Sequence, residues 1–171
     1  MPFTIRDYES ADFEALWHID QECFPPGISY SRAELKFYMG RHGSFTLVAT
    51  EAAPSGKATP ASGTRKKSSL PIPLPLSVAG FLVAEAARGA GHIITIDVLA
   101  AARRSGVGSL LLRAAEDRLR AAQCRSVELE TAVDNLAALS FYKRHGYSVI
   151  KTFPRYYSNG VDALVLEKDL A

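Results

Sequence analysis

The clearest period along the chain is that of Val107, Leu110, Leu111, Ala114 and Leu119, which fall on one face of a helix whose other face carries Arg113, Glu116, Asp117 and Arg120. Phe13, Leu16, Trp17, Asp20, Cys23 and Phe24 predict an earlier helix, with Ser10 as its cap and Pro25-Pro26 as its stop. Ser31 and Glu34 have the spacing of a capping box, so Leu35, Tyr38 and Met39 predict a short second helix ending before Gly40. Asn135 to His145 reads as a last helix stopped at Gly146. Strands are predicted at residues 3–6, 45–50, 78–85, 92–99, 126–133, 147–151 and 161–168, where β-branched and aromatic residues gather between turn formers. Gly89-Ala90-Gly91 reads as a turn, and the run from His92 to Leu99 is apolar enough for a central strand. Strand, helix, strand in the middle of the chain implies a right-handed parallel crossover.

No apolar period marks residues 51–77, which are rich in Pro, Ser, Ala and Gly and carry Arg65, Lys66 and Lys67. This segment reads as a disordered insertion in a hairpin, with a partner-docking arm as the alternative. Gly56-Lys57 lacks the other residues of a phosphate loop, which removes the nucleoside-triphosphate reading.

With 171 residues the chain has the length of one domain, 1–171, with a sizeable core. Lys and Arg number 20 against 18 Asp and Glu, a balance that does not point to nucleic acid. Cys23 and Cys124 are too few for a disulfide framework and too far apart in sequence for a paired metal motif. A reducing, cytoplasmic setting, no metal, no membrane and a monomer or homodimer are therefore the expectations.

The stretch from Thr95 to Leu110 carries the chemistry. A loop with Arg103, Arg104, Ser105, Gly106, Val107, Gly108 and Ser109 leads straight into the amphipathic helix, so unpaired N–H groups and the positive helix end converge on one point. A phosphate group suits that point, because side chains at Gly106 and Gly108 would hold a pyrophosphate off the backbone. A dinucleotide-binding crossover is the competing reading, with Glu128 or Glu130 as the ribose-binding acid. It is disfavoured because Leu111 stands at its third glycine position, the loop after Val98 is long, and too little chain follows for a second half.

Arg103-x-x-Gly106-x-Gly108 after Ile96-Asp97-Val98 resembles the acetyl-CoA pyrophosphate motif of the GNAT family of N-acetyltransferases. The stretch from Asn135 through Ala138, Phe141 and Tyr142 to Gly146-Tyr147 resembles the second signature of the same family. Ala100 and Ala101 depart from the family pattern, which often has Pro and an acidic residue there. The resemblance implies an α/β (α+β) acyl-CoA N-acyltransferase fold, with a central mixed, mostly antiparallel sheet flanked by helices. Acetyl-CoA is the implied co-substrate, with Ile96, Asp97 and Val98 pairing with its pantetheine arm and Asn135 capping a helix or bonding the cofactor. Cys23-Phe24-Pro25-Pro26 and Arg155-Tyr156-Tyr157 resemble substrate loops of ribosomal-protein alanine and other N-terminal amine acetyltransferases.

That resemblance implies Glu130 as general base and Tyr142 as the acid that protonates the leaving thiolate. Asp97 is an alternative base. Phe24, Tyr30, Tyr156 and Tyr157 are candidates for the walls of an acceptor slot. None of His18, His42, His92 and His145 has the spacing of a nucleophilic triad, so direct transfer in a ternary complex is expected. The expected acceptor is a protein or peptide N-terminus. A small amine or a lysine side chain, and a non-catalytic acyl-CoA-binding module, stay open as alternatives.

Overall fold

The computed structural model describes residues 3–51 and 77–171, so the predicted insertion at 51–77 falls almost wholly outside the described residues. Seven strands form one sheet: β1 (Phe3–Asp7), β2 (Ser44–Glu51), β3 (Val78–Ala87), β4 (Ala90–Val98), β5 (Ser126–Ala132), β6 (Ser148–Phe153) and β7 (Ala163–Asp169). Their spatial order is β1-β2-β3-β4-β5-β7-β6, and every neighbouring pair is antiparallel except β4 with β5. Helices α1 (Phe13–Cys23) and α2 (Arg32–Met39) cover one face, while α3 (Val107–Ala121) and α4 (Leu136–Arg144) lie on the other.

The two faces have separate cores. Leu16, Ile19 and Leu35 pack on Val48, Phe81 and Val83 on the α1 side. Val107, Leu111, Leu112, Ala115 and Leu119 of α3 pack on Leu47, Leu82, Ile93 and Val127 on the other. β3 is buried along most of its length because both layers press on it, as expected of an apolar strand in the middle of a sheet.

Two local expectations need correction. Ser10 is not the cap of α1: it opens a single 3₁₀ turn, Ser10–Asp12, whose capping residue is Glu9 and whose Asp12 carboxylate accepts the Glu9 N–H. Ala90 and Gly91 are not turn residues but the start of β4, with Arg88 and Gly89 making the turn. Gly91 is required by packing: a Cβ there would stand 2.6 Å from Leu119 Cδ1 of α3.

The sheet opens in its middle. β4 and β5 pair only from Ala90–Ser126 to Ile93–Leu129. Opposite β3, Val83 pairs with Thr95 but Ala84 pairs with Ile93, which leaves Ile94 as an extra residue in β4. Such a bulge bends its strand and increases its twist, and here it stands where β4 leaves β5. It also shifts the side-chain alternation. Ile93, Ile96 and Val98 face the α3 core, whereas Ile94 packs with the α1 core.

Candidate active site

Beyond Ile93 the edge of β4 that faces β5 is unpaired by strand, and a cavity of 970 Å³ opens there. Its lining includes Ile96 and Val98 of β4, Arg103, Arg104, Gly106, Gly108 and Ser109 of the loop and α3, Glu130 of β5, and Asn135 and Tyr142 of the following segment. At one end Gly106 caps α3 with φ +92°, a left-handed conformation that glycine adopts without strain. A Cβ built on it meets nothing within 4 Å. Among the described residues, the N–H groups of Val107, Gly108 and Ser109 have no recorded acceptor, as first-turn amides of a helix have none of their own. Arg103 Nε donates to Val98 O at 2.9 Å, which ties the loop to the end of β4, and Arg144 supplies a further cation on the cavity wall.

Glu130 alternates with Leu129 and Thr131, so its carboxylate stands on the face opposite the α3 core. Its Oε2 lies 2.7 Å from His92 Nε2. His92 Nδ1 is 3.8 Å from Glu85 Oε1, and Arg41 Nε is 3.2 Å from Glu85 Oε2, so a charged row runs from the cavity to the surface. Burial alone would lower the His92 pKa. The Glu130 hydrogen bond and the negative charges of Glu130, Glu85 and Glu128 outweigh it and hold the imidazole above its ordinary value. His92 is the residue that motif reasoning missed. It carries no signature of its own, and only the parallel register, with His92 opposite Glu128, brings it beside Glu130.

Tyr142 is 5% exposed, with its ring against Phe141 and Tyr147. Burial, reinforced by the charges of Asp97 and Tyr157, raises its phenol well above the usual tyrosine value, so it is protonated at neutral pH. Asp97 does not line the cavity. Its carboxyl is buried and receives the Thr95 hydroxyl at 2.8 Å, and burial followed by the Asp20 charge raises it well above the ordinary carboxylate range. That position leaves Asp97 a backbone role at the strand edge. Asn135 Oδ1 accepts the Ala138 N–H at 3.1 Å, so it caps α4 while also lining the cavity. Val107 turns its side chain into the α3 core, and Ser105 lies on the exposed outside of the loop.

Toward the other end the cavity is lined by Cys23, Phe24, Pro25, Ile28, Tyr30, Tyr157 and Asn159. Asp20 Oδ2 accepts the backbone N–H of Tyr30 at 2.8 Å, which fastens the 24–30 loop to α1. Tyr30 Oη lies 3.4 Å from the Ile94 carbonyl at the bulge. Tyr156 is not in the lining: it is half exposed, stacks on Phe153 and meets Tyr157 edge-on. Among the described residues no group of three or more His, Cys, Asp or Glu stands together as a metal site, and no helix is long and apolar enough to cross a membrane.

A sheet that splays beside a glycine-capped helix end with unpaired first-turn amides is the architecture of the acyl-CoA N-acyltransferases. A model of the acetyltransferase (GNAT) family matches residues 13–147, and the chain belongs to that family. It is 37% identical over 92 residues to an uncharacterised N-acetyltransferase of Methanocaldococcus jannaschii, covering 53% of this chain and 59% of that protein. It is 38% identical over 73 residues to N-alpha-acetyltransferase 30 of Schizosaccharomyces pombe, covering 43% and 49% of the two chains. The matched stretches thus span about half of the curated relatives. Among solved structures, Ard1 from Thermoplasma volcanium superposes with a TM-score of 0.79 at 25% identity over 100% of this chain and 99% of that one. The ribosomal-protein-S18-alanine N-acetyltransferase of Escherichia coli shares the fold, with a TM-score of 0.74 at 22% identity over 99% and 95% of the two chains.

Proposed function

We propose that this chain transfers the acetyl group of acetyl-CoA to the free α-amine of a protein or peptide N-terminus, by direct attack in a ternary complex. The observation that carries this reading is one cavity lined both by the anion-accepting end of α3 and by Glu130 and Tyr142. The residues suit acetyl-CoA: unpaired amides at Val107, Gly108 and Ser109 with Arg103, Arg104 and Arg144 take the pyrophosphate, and the free edge of β4 takes the amide-bearing arm. The acceptor reading draws support from relatives named as N-alpha-acetyltransferases, and from the aromatic walls Phe24, Tyr30 and Tyr157 beside Glu130.

Glu130 takes a proton from the α-ammonium group, directly or through one water, and shares it with His92. The freed nitrogen then attacks the thioester carbon, and the N–C bond forms as the C–S bond breaks. An unpaired β4 amide faces the developing oxyanion, with Val98 N–H the first candidate. Tyr142 O–H protonates the departing sulfur, and the phenolate so formed takes up the remaining extra proton of the nitrogen through water, leaving an acetamide, CoA thiol and the first proton on the Glu130–His92 pair, which passes it to solvent.

Glu130→Gln and Tyr142→Phe test these roles. Each is expected to lower kcat by roughly 10²–10⁴-fold, the usual worth of a positioned acid or base, while CoA still binds. Variants with wild-type turnover would remove both residues from the chemistry.

A further inference from the structure

The first turn of α3 and the residue that caps the C-terminus of α4 meet at one hydrogen bond that the transfer chemistry does not use. Ser109, the third residue of α3, lines the cavity, and its Oγ lies 2.9 Å from His145 Nε2. His145 caps the C-terminus of α4 through its own backbone N–H to Tyr142 O, and its ring lies edge-to-face on Phe141 at 4.5 Å between centroids. The ring is therefore fixed by the helix end, by an aromatic neighbour and by Ser109 together.

A serine hydroxyl has one hydrogen to give. If Ser109 gives it to His145 Nε2, only lone pairs are left to face the anion end of the cavity, where they repel a phosphate oxygen. If His145 Nε2–H instead donates to Ser109 Oγ, the Ser109 hydrogen is free to turn toward the anion, beside the unpaired amides of α3. The charged groups around the ring are Arg113 and Glu116 from α3, Arg144 from α4 and Lys168 from β7. Burial lowers the imidazole below its ordinary value; Glu116 opposes this, whereas Lys168, Arg113 and Arg144 add to it. A neutral ring results, in which the tautomer decides which partner donates.

We propose that His145 is a positioning residue for the phosphate-bearing part of CoA: its Nε2–H donates to Ser109 Oγ and thereby presents the Ser109 hydroxyl to the anion as a donor. The proposal rests on CoA as the co-substrate, and it adds to the glycine loop a contribution from the far end of α4.

The test reads CoA binding directly, by calorimetry, together with the nitrogen-15 shifts of the His145 ring in the full chain. The wild-type complex with CoA is expected to carry its ring hydrogen on Nε2. Ser109→Ala and His145→Leu are each expected to weaken CoA binding by roughly tenfold, the worth of one charge-assisted hydrogen bond. Combining them should cost no more than either alone, because they remove the same bond. His145→Gln, whose amide can still donate, should restore affinity to within about twofold on the same grounds. A ring hydrogen on Nδ1 in the CoA complex overturns the proposal without any variant having to fold. Additive losses in the double variant, or His145→Gln binding as poorly as His145→Leu, overturn it as well, since a merely structural histidine would behave so. A wild-type chain that binds no CoA overturns the co-substrate reading along with it, which keeps the two failures distinct.

Discussion

Glu130 and His92 form a pair to whose proton balance a third residue contributes. Glu85, on the neighbouring strand β3, places its carboxylate 3.8 Å from the far nitrogen of His92 and is itself held by Arg41. The pair accepts the proton of an incoming ammonium group only after His92 has released its own, so kcat/KM is expected to climb as pH rises through the raised His92 value. Removing the Glu85 charge takes away one of the groups that hold His92 up. Glu85→Gln should therefore move the rising limb to lower pH, measured with one peptide for both proteins so that the acceptor's own titration cancels. A limb that stays in place would mean that His92 does not govern the base. The family motifs point to Glu130 and Tyr142, and both line the cavity, but this row was not legible: it joins residues from three strands and a loop, and no spacing along the chain encodes it.

At the scale of elements, the helices and strands follow the hydrophobic periods to within a residue or two, because burial on a known face is what those periods record. The bulge at Ile94 left no such trace. Ile93, Ile94, Thr95 and Ile96 are all good strand formers, so one inserted residue disturbs neither composition nor propensity. Yet its consequences reach the site. The alternation shifts, Asp97 turns to the α1 face and away from the cavity, and β4 parts from β5 where the cavity opens. The loop that follows depends on Gly106 in the left-handed region, where a residue with a Cβ costs about 1–2 kcal/mol. Gly106→Ala is expected to destabilise the protein by that amount in urea titrations. It should also raise KM for acetyl-CoA, because relief of the strain turns the first amides of α3 away from their common point. An unchanged KM would remove the loop backbone from cofactor binding.

Across the whole molecule, a buried polar network fastens α3 to the sheet at the end where β4 and β5 are paired, since Lys168 stands opposite Val127 and Val127 opposite Gly91. Glu116 of α3 is 4% exposed and receives the Tyr147 hydroxyl at 3.1 Å and Lys168 Nζ at 2.7 Å, with Arg120 within 3.6 Å. These contacts tie α3 to β7 and to the chain just after α4. Glu116→Ala leaves the buried Tyr147 phenol and the half-buried Lys168 ammonium without their acceptor and should cost about 1–3 kcal/mol in urea or thermal unfolding. A loss under about 1 kcal/mol would show that water replaces the carboxylate there. The network was not legible in the sequence, whereas of the four aromatic wall candidates Phe24, Tyr30 and Tyr157 do line the cavity. Tyr156 looked like a wall residue because it stands beside Tyr157, but in the turn that carries both, Tyr156 stacks on Phe153 and only Tyr157 lines the cavity.

The central claim, acetyl transfer to a free N-terminus, is tested most directly by CoA-thiol release from acetyl-CoA against a set of acceptors. The set comprises peptides with free N-termini, the same peptides N-blocked but containing lysine, and small amines. The account predicts turnover with the free N-termini and none above background with the blocked peptides. Turnover confined to lysine or small amines would keep the chain among the acetyltransferases and contradict the proposed acceptor, while silence with every amine despite tight CoA binding would contradict catalysis itself.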